Sequence, residues 1–283
     1  VFWINLPVIA VAVLLTIRAV DGTRGIAPRG LDLFGPGLSA LGLAAGTWAV
    51  ISAGEHGWGV PQLAAAVAAA GLLTGFVAVE RRIPEPMLPP GLFAGRGFTV
   101  AVTVGFCLNV SFFGQLFVLS LFFQRTLGHD AWEAGLALAP QACSAVVAAP
   151  LGGRAAARFG VFPAMLMGLV LGAAGFAGTA FIGSGTAPLV VSGVTFAAGF
   201  GMAFAMPAAT AAAVSTVPDE LAGTAGGVVN AARQTGSVAG VAILGGVVAV
   251  DASPSGFRVA MLMAAGIFVV AATLVAAAAR DPA

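Results

Sequence analysis

Charge is scarce in this sequence. Only 8% of its 283 residues are charged and 59% are hydrophobic, whereas soluble domains are about 25% charged. Lysine is absent, so all twelve basic residues are arginines, and they are scattered along the chain without forming a basic block. The net charge is only +1. This composition excludes an ordinary soluble domain, argues against nucleic-acid binding and predicts an integral membrane protein.

Groups that carry out chemistry are equally scarce. The two cysteines, Cys107 and Cys143, lie in apolar runs and are interpreted as small buried hydrophobes. The two histidines, His56 and His129, have no partner at metal-ligand spacing, and the sequence contains no Ser/His/Asp arrangement or phosphate-binding loop. We therefore expect neither an enzyme nor a bound cofactor.

Carboxylates are missing from the middle of the apolar runs. All eleven Asp and Glu residues fall in loops or at predicted helix ends. A carboxylate that carries a proton through the bilayer would therefore have to lie outside this sequence. The chain also begins inside an apolar segment, at Val1, without an initiator methionine or the basic flank of a signal peptide. We expect a fragment that lacks N-terminal helices.

What the sequence does contain is a series of apolar stretches, each close to the roughly 20 residues that a membrane-spanning helix needs. Alternation of period two is absent, so the stretches are predicted to be helices and not barrel strands. The expected fold class is an all-α polytopic membrane protein with about nine transmembrane helices. The predicted spans are residues 1–19, 33–52, 62–79, 98–123, 132–151, 163–182, 188–213, 224–250 and 257–279.

The arginines predict the orientation of these helices, because cytoplasmic loops carry the excess of positive charge. Alternate loops on one side of the membrane, together with the C-terminal tail, hold most of the arginines. That side is predicted to be cytoplasmic, so the C-terminus is expected on the cytoplasmic side of the plasma membrane. The predicted cytoplasmic side has Arg18, Arg24, Arg29, Arg81, Arg82, Arg96, Arg154, Arg158 and Arg280, and the opposite side has Arg125 and Arg258.

The longest loop, residues 80–97, separates three predicted helices from a block of six and indicates a domain boundary. Within the block, small residues recur at a spacing of four, which allows helix backbones to approach closely in lipid. Two interpretations remain: permanent packing, or faces that slide during a conformational cycle. The small residues are Gly168 and Gly172, then Gly193, Ala197 and Gly201, then Gly236 and Gly240.

One predicted helix carries a polar stripe. Asn230, Arg233, Gln234 and Ser237 are spaced i, i+3, i+4 and i+7, which places them on one helix face. An arginine near the bilayer centre costs about 2.5–3.5 kcal/mol. Either the Arg233 side chain reaches back to the headgroups, or the stripe lines a water-filled transport path or gate. The two flanking amides favour the path, since reaching the headgroups does not require them.

Three further amides lie within apolar runs. Asn109 and Gln115 are in the fourth predicted span, and Gln141 is in the fifth. Amides in a membrane helix either line a polar cavity or bridge two helices by hydrogen bonds. Both roles remain open, and all three residues are candidates for the transport path.

Five phrases of the sequence occur together in a recognisable order. They are VFWINLP at 1–7, LDLFGPGLSALGLAAGTWAVISAGEHGWG at 31–59, VERRIPEPMLPPGLFAGRGFT at 79–99, AGLALAP at 134–140 and PDELAGTAGGVVNAARQTGSVAGVAILG at 218–245. Their order and the loop lengths between them resemble the fourteen-helix drug:proton antiporter branch of the major facilitator superfamily. The resemblance runs along nearly the whole chain.

The resemblance implies a division of the chain into three parts. Residues 1–19 would be the last helix of an incomplete N-terminal bundle, residues 20–97 two linker helices and a cytoplasmic loop, and residues 98–283 a complete six-helix C-terminal bundle. An even-numbered last helix leaves the tail in the cytoplasm, in agreement with the arginine distribution. Five helices of the family fold would then precede this chain.

The phrase GGRAAARFG at 152–160 resembles the degenerate copy of the family motif G-x-x-x-D-R-x-G, which lies in a cytoplasmic loop. Gly153, Arg158 and Gly160 match, and Arg154 lies between them, but Ala157 stands where the family has aspartate. The family's aspartate helps to latch one conformation. A latch and simple positive-inside anchoring therefore both remain open here. The resemblance also implies that Arg233 faces the cytoplasmic half of the path between bundles.

The implied function is secondary active transport. The resemblance implies export of small amphipathic or cationic compounds in exchange for protons, by alternating access of two bundles around a central site. The expected partners are the substrate, protons, the lipid bilayer and the missing N-terminal helices, in a bacterial inner membrane. One alternative is a dedicated exporter of one endogenous metabolite. Another, from a different class, is a truncated membrane protein or sensor that does not transport.

Overall fold

A computed structural model describes residues 5–19, 34–57, 59–83, 90–218, 221–251 and 253–280. Arg24, Arg29 and residues 84–89 of the long loop lie outside these ranges. Throughout the described ranges the regular structure is helical, as predicted. The α-helices are α1 (Asn5–Ala19), α2 (Phe34–His56), α3 (Val60–Glu80), α4 (Arg96–Leu121), α5 (Ala131–Phe159), α6 (Val161–Thr179), α7 (Pro188–Ser215), α8 (Ala222–Val250) and α9 (Pro254–Arg280).

Seven of these helices, α3 to α9, are long and apolar enough to cross a membrane. Helix α4 continues through a π-helical segment, Phe122–Thr126, so that its apolar span has 31 residues. The apolar parts of α1 and α2 are shorter, Ile9–Arg18 and Gly37–Ala53. The helical membrane fold is confirmed. Of the roughly nine spans expected, seven are long and apolar enough to cross a membrane.

The chain divides into two compact units. The first, Val1–Phe34, contains α1, whose apolar side chains such as Leu14 and Ile17 are exposed. The second, Gly35–Ala283, contains α2 to α9. A division between linker helices and bundle near residue 97 therefore stays a prediction.

Helices α4 to α9 form a bundle whose core is rich in alanine, phenylalanine and leucine. Helix α4 packs most extensively against α8, α7 lies against both α5 and α6, and α9 packs against α6 and α4. The α6–α9 contact includes an edge-to-face pair, Phe176 and Phe268, with ring centroids 4.8 Å apart. In this bundle α4 packs on α7, α8 and α9, and α7 packs on α4, α5, α6 and α8.

Glycines set the spacing between α6 and α7. A Cβ atom added at Gly168 would lie 2.7 Å from the backbone nitrogen of Ala205, and one added at Gly201 would collide with the backbone of Gly172. The two backbones are therefore in direct contact, as small residues spaced by four allow in lipid. Gly193, from the same predicted set, has open space around it instead.

The α4–α8 contact is of the same kind. A Cβ atom at Gly236 would lie 2.5 Å from the carbonyl oxygen of Phe106, and one at Gly240 would collide with the backbone of Val110. Gly114 on α4 faces Gly240 in return, with its Cβ position 2.5 Å from the Gly240 carbonyl oxygen. The order of these contacts along both helices shows that α4 and α8 run parallel.

Helix α5 extends beyond the predicted span at its C-terminal end. It begins at a capping box in which Glu133 N donates to Asp130 Oδ1 over 2.8 Å. It ends at Phe159, and Gly160, at a φ of 93°, alone separates it from α6. The predicted loop motif is therefore in the last turns of a helix, with Gly153, Arg154 and Arg158 inside α5. Just beyond the predicted end of the span, Gly152 is still in contact with the backbone of Phe204 on α7.

The two cysteines differ in environment. Cys107 is buried on α4, as expected, but Cys143 on α5 is exposed. The expectation of burial was wrong for Cys143 because an apolar run in a membrane protein has a lipid-facing side as well as a core side, and hydropathy does not distinguish the two.

Candidate functional site

Arg233 lies near the middle of α8, eleven residues after the start of the helix at Ala222. At 1.5 Å per residue, this is about 16 Å along the helix axis. Its aliphatic stem packs on α4, with Cγ 3.4 Å from where a Cβ atom of Gly105 would be. The residue is half-buried, and its Nε is fully buried with no hydrogen-bond partner among the described residues. The stem therefore enters the α4–α8 contact and does not run along the helix surface toward its end.

A hydroxyl and an amide connect α8 to α4 beside this arginine. Ser237 Oγ lies 3.0 Å from the carbonyl oxygen of Arg233 and 3.3 Å from Asn109 Oδ1, and it can donate to either. Asn109 Nδ2 donates to the carbonyl oxygen of Gly105 over 2.9 Å. Asn109 is almost fully buried, with 2% of its surface exposed. We name Gly105, Asn109, Arg233 and Ser237 the α4–α8 polar cluster.

The rest of the predicted stripe lies outside this cluster. Asn230 and Gln234 are exposed, whereas Arg233 and Ser237 are half-buried against α4. The stripe therefore occupies the border of the α4–α8 contact, with two residues directed into it and two on the open side. The Arg233 stem is buried at this border, so its guanidinium can reach a polar group on the exposed side of α8, where Asn230 and Gln234 lie.

Gln115 and Gln141 form a second polar contact, between α4 and α5. Gln141 Nε2 donates to Gln115 Oε1 over 2.8 Å, and Gln115 Nε2 donates to Gln141 Oε1 over 3.4 Å. Both side chains are buried, with 0% and 1% of their surfaces exposed. Helix α4 packs mainly on α8 and helix α5 mainly on α7, and the two make little contact with each other. The amide pair therefore bridges two helices that share little other contact.

The amide pair predicts an interaction free energy that can be measured. We expect Gln115→Leu to destabilise the bundle by about 1–3 kcal/mol, because it leaves the Gln141 amide buried and unpaired. Gln141→Leu should have a similar effect, and the double variant should be less destabilised than the sum of the two. Thermal unfolding of the four proteins in one detergent measures this coupling. Strictly additive effects would show that the two amides do not stabilise each other.

Sequence reasoning identified the amides but missed the role of Gly105. Its lack of a side chain provides the space that the Arg233 stem occupies. A glycine in a membrane helix indicates close approach of a neighbour, but the sequence does not say which neighbour approaches. Within the described ranges, no group of three or more His, Cys, Asp or Glu side chains could hold a metal ion. The chemistry of this site therefore depends on one guanidinium, amides and a hydroxyl.

The chain is similar to several transport and resistance proteins. It is 35% identical over 246 residues to the methylenomycin A resistance protein of Streptomyces coelicolor, covering 87% of this chain and 52% of that protein. It is 32% identical over 247 residues to the tetracenomycin C resistance and export protein of Streptomyces glaucescens, with coverages of 87% and 46%. The multidrug transporter protein MdtP of Bacillus subtilis is 28% identical, with coverages of 87% and 46%. The chain spans about half the length of these relatives.

The fold is also similar to that of a solved transporter. A crystal structure of the nucleoside transporter NupG, in its D323A variant, superposes with a TM-score of 0.56 at 17% identity, covering 85% of this chain and 65% of that one. The family model described as Major Facilitator Superfamily matches residues 1–241. The chain therefore belongs to the major facilitator superfamily.

Proposed function

We propose that this chain forms the C-terminal part of a proton-coupled exporter of small amphipathic or cationic compounds. The observation that supports it most is the combination of relatives named as resistance and export proteins with a polar cluster inside a membrane bundle. An intramembrane arginine is costly, and such residues in membrane proteins face cavities and mark transport pathways. In this proposal, Arg233 is placed at the border of the substrate path.

The proposed transport cycle is alternating access between two bundles. Helices α4 to α9 would be one bundle, and N-terminal helices beyond this chain would supply the other. The proton-carrying group belongs to that other bundle in our proposal, because the carboxylates of this sequence lie in loops or at helix ends. The arginines at the ends of α3, α5 and α9 support a cytoplasmic C-terminus in the bacterial inner membrane.

Vesicle transport tests the proposal. We expect everted membrane vesicles that contain the complete transporter to accumulate a fluorescent lipophilic cation, ethidium, when a proton gradient is imposed. Dissipating the gradient with a protonophore should abolish the accumulation, and vesicles without the transporter provide the control. Accumulation that does not depend on the gradient would contradict proton coupling.

A dedicated metabolite exporter is the second candidate. The similarity to a protein named for tetracenomycin C resistance and export favours it, because that name indicates one compound. No movement of ethidium, combined with gradient-dependent movement of a single compound from a substrate screen, would support this candidate. No transport of any compound by well-expressed protein would contradict both.

A further inference from the structure

A cavity of about 460 Å³ lies between the C-terminal halves of α4 and α8, with α2 and the start of α9 completing its walls. Its volume is within the range of about 300–1,000 Å³ that small-molecule sites have. The lining is mostly apolar and includes Ile51, Phe117, Phe122, Gly246 and Phe257. Phe122 and Phe257 stack with ring centroids 3.9 Å apart, so that α4 and α9 present one continuous aromatic surface to the cavity.

The cavity extends along the direction of the helices. It reaches from Phe117 to Arg125 on α4, eight residues apart, which corresponds to about 12 Å at 1.5 Å per residue. Arg125 is the penultimate residue of the apolar span Arg96–Thr126. The end of a span lies at the level of the membrane interface. The cavity therefore has an interfacial end with a guanidinium and a deeper end that is apolar.

The charge at this cavity has one sign. Arg125 is its only charged lining residue among the part of the chain that the structure describes. The nearest described carboxylate along α8, Asp251, is outside the lining and accepts hydrogen bonds from Ser253 N at 3.0 Å and Ser255 Oγ at 3.1 Å. Hydrogen bonds from Ser253 also hold the pKa of Asp251 below its usual range, so this carboxylate is ionised and already occupied. The Arg125 side chain forms no hydrogen bond or ion pair with any residue that the structure describes, so its charge is available to a ligand.

We propose that this cavity binds an amphipathic anion, with an acidic head group at Arg125 and an apolar body along Phe117 and the aromatic stack. An arginine at the interface pairs well with phosphate, sulfonate or carboxylate groups, and the mostly apolar lining provides contacts for the apolar body. The anion is either an anionic membrane lipid or a free amphipathic compound, which share this chemistry. The inference concerns a site at the ends of the helices and does not depend on the proposed export of cations.

Gly246 provides a way to close the cavity without disturbing the fold. It lines the cavity, and a Cβ atom added there would meet nothing within 4 Å. Gly246→Leu should therefore fill the space that the ligand occupies. Gly266 on α9 also has open space around it and does not line the cavity, so Gly266→Leu is the matched control.

Photolabelling of the protein in phosphatidylcholine nanodiscs tests the proposal. We expect a diazirine-bearing hexadecyl sulfonate to label peptides from residues 117–126 and 241–249, and the trimethylammonium analogue of the same chain length to label them at least fivefold less. Arg125→Ala and Gly246→Leu should reduce sulfonate labelling to the level of the cationic probe. Arg125→Lys and Gly266→Leu should retain most of it.

The same experiment identifies the source of the ligand. Suppression of labelling by phosphatidylglycerol in the nanodisc would indicate a membrane lipid. Displacement by a water-soluble aromatic sulfonate, with no effect of phosphatidylglycerol, would indicate a free compound. Equal labelling by the two probes, or undiminished labelling of both Arg125→Ala and Gly246→Leu, would overturn the proposal. Because binding is measured without transport, either result is independent of the vesicle experiment.

Discussion

Arg233→Ala is expected to reduce export at least about tenfold without changing the amount of protein in the membrane. The Arg233 stem is fixed against Gly105, and its Nε is buried without a partner among the described residues. Arg233 as a whole is only half-buried, so in our proposal the outer part of its guanidinium gains a partner when a substrate or a second bundle approaches. Loss of a charge-assisted hydrogen bond costs about 1.5–3 kcal/mol, and about 1.4 kcal/mol corresponds to a factor of ten.

Two further variants separate this role from a structural one. Arg233→Lys keeps the charge but loses the planar donor fork, so partial recovery would show that charge dominates. Arg280→Ala, at the exposed end of α9, removes an arginine elsewhere and should leave export unchanged. Initial rates of ethidium efflux, normalised to transporter content, provide the comparison. Unchanged efflux in Arg233→Ala would reduce Arg233 to a residue that only packs in the α4–α8 contact.

Gly240→Val is expected to unfold or strongly destabilise the bundle, whereas Gly246→Val should be tolerated. The two glycines are six residues apart on α8, but a Cβ atom at Gly240 collides with the Val110 backbone, and one at Gly246 meets open space. Overpacking costs about 1–3 kcal/mol in ordinary cores, and the cost is higher here because a backbone cannot change rotamer. Both substitutions replace glycine by valine in one helix, so the difference between them reports packing.

The melting temperatures of the two purified variants in detergent measure this difference. We expect Gly246→Val to melt near the wild-type temperature and Gly240→Val to melt well below it or to fail to accumulate. Gly240→Ala provides a smaller step if the valine variant cannot be purified. Equal melting temperatures for the variants at 240 and 246 would contradict direct backbone contact between α4 and α8.

The membrane helices could be predicted because hydropathy reports directly on burial in lipid. Most predicted ends lie within a few residues of the observed ones, but α5 continues from residue 151 to Phe159. Hydropathy ended the span at residue 151 because Arg154 and Arg158 follow. Backbone hydrogen bonding does not end there, since Gly152 and Ala155 remain buried and Gly152 approaches Phe204 of α7. The apolar run and the helix therefore end at different residues.

The candidate site could be predicted only in part. The spacing of residues 230–237 placed four polar groups on one helix face, but it did not specify the neighbouring helix or the boundary of its contact. In a soluble helix the change from apolar to polar residues marks that boundary. A membrane helix is apolar toward both lipid and protein, so the boundary is invisible in the sequence. For the same reason, the pairing of Gln115 with Gln141 required the three-dimensional structure.

The glycine contacts between α4 and α8 also restrict how the bundle can deform. Two helices in backbone contact have no layer of side chains between them that could repack into a second arrangement, and packed interfaces change between discrete states. We therefore expect α4 and α8 to move as one rigid body in any conformational change. Where α4 meets α5, by contrast, few contacts lie besides the Gln115–Gln141 pair, so this border offers less resistance to separation. Any separation of α4 from α5 would break the two amide hydrogen bonds of this pair.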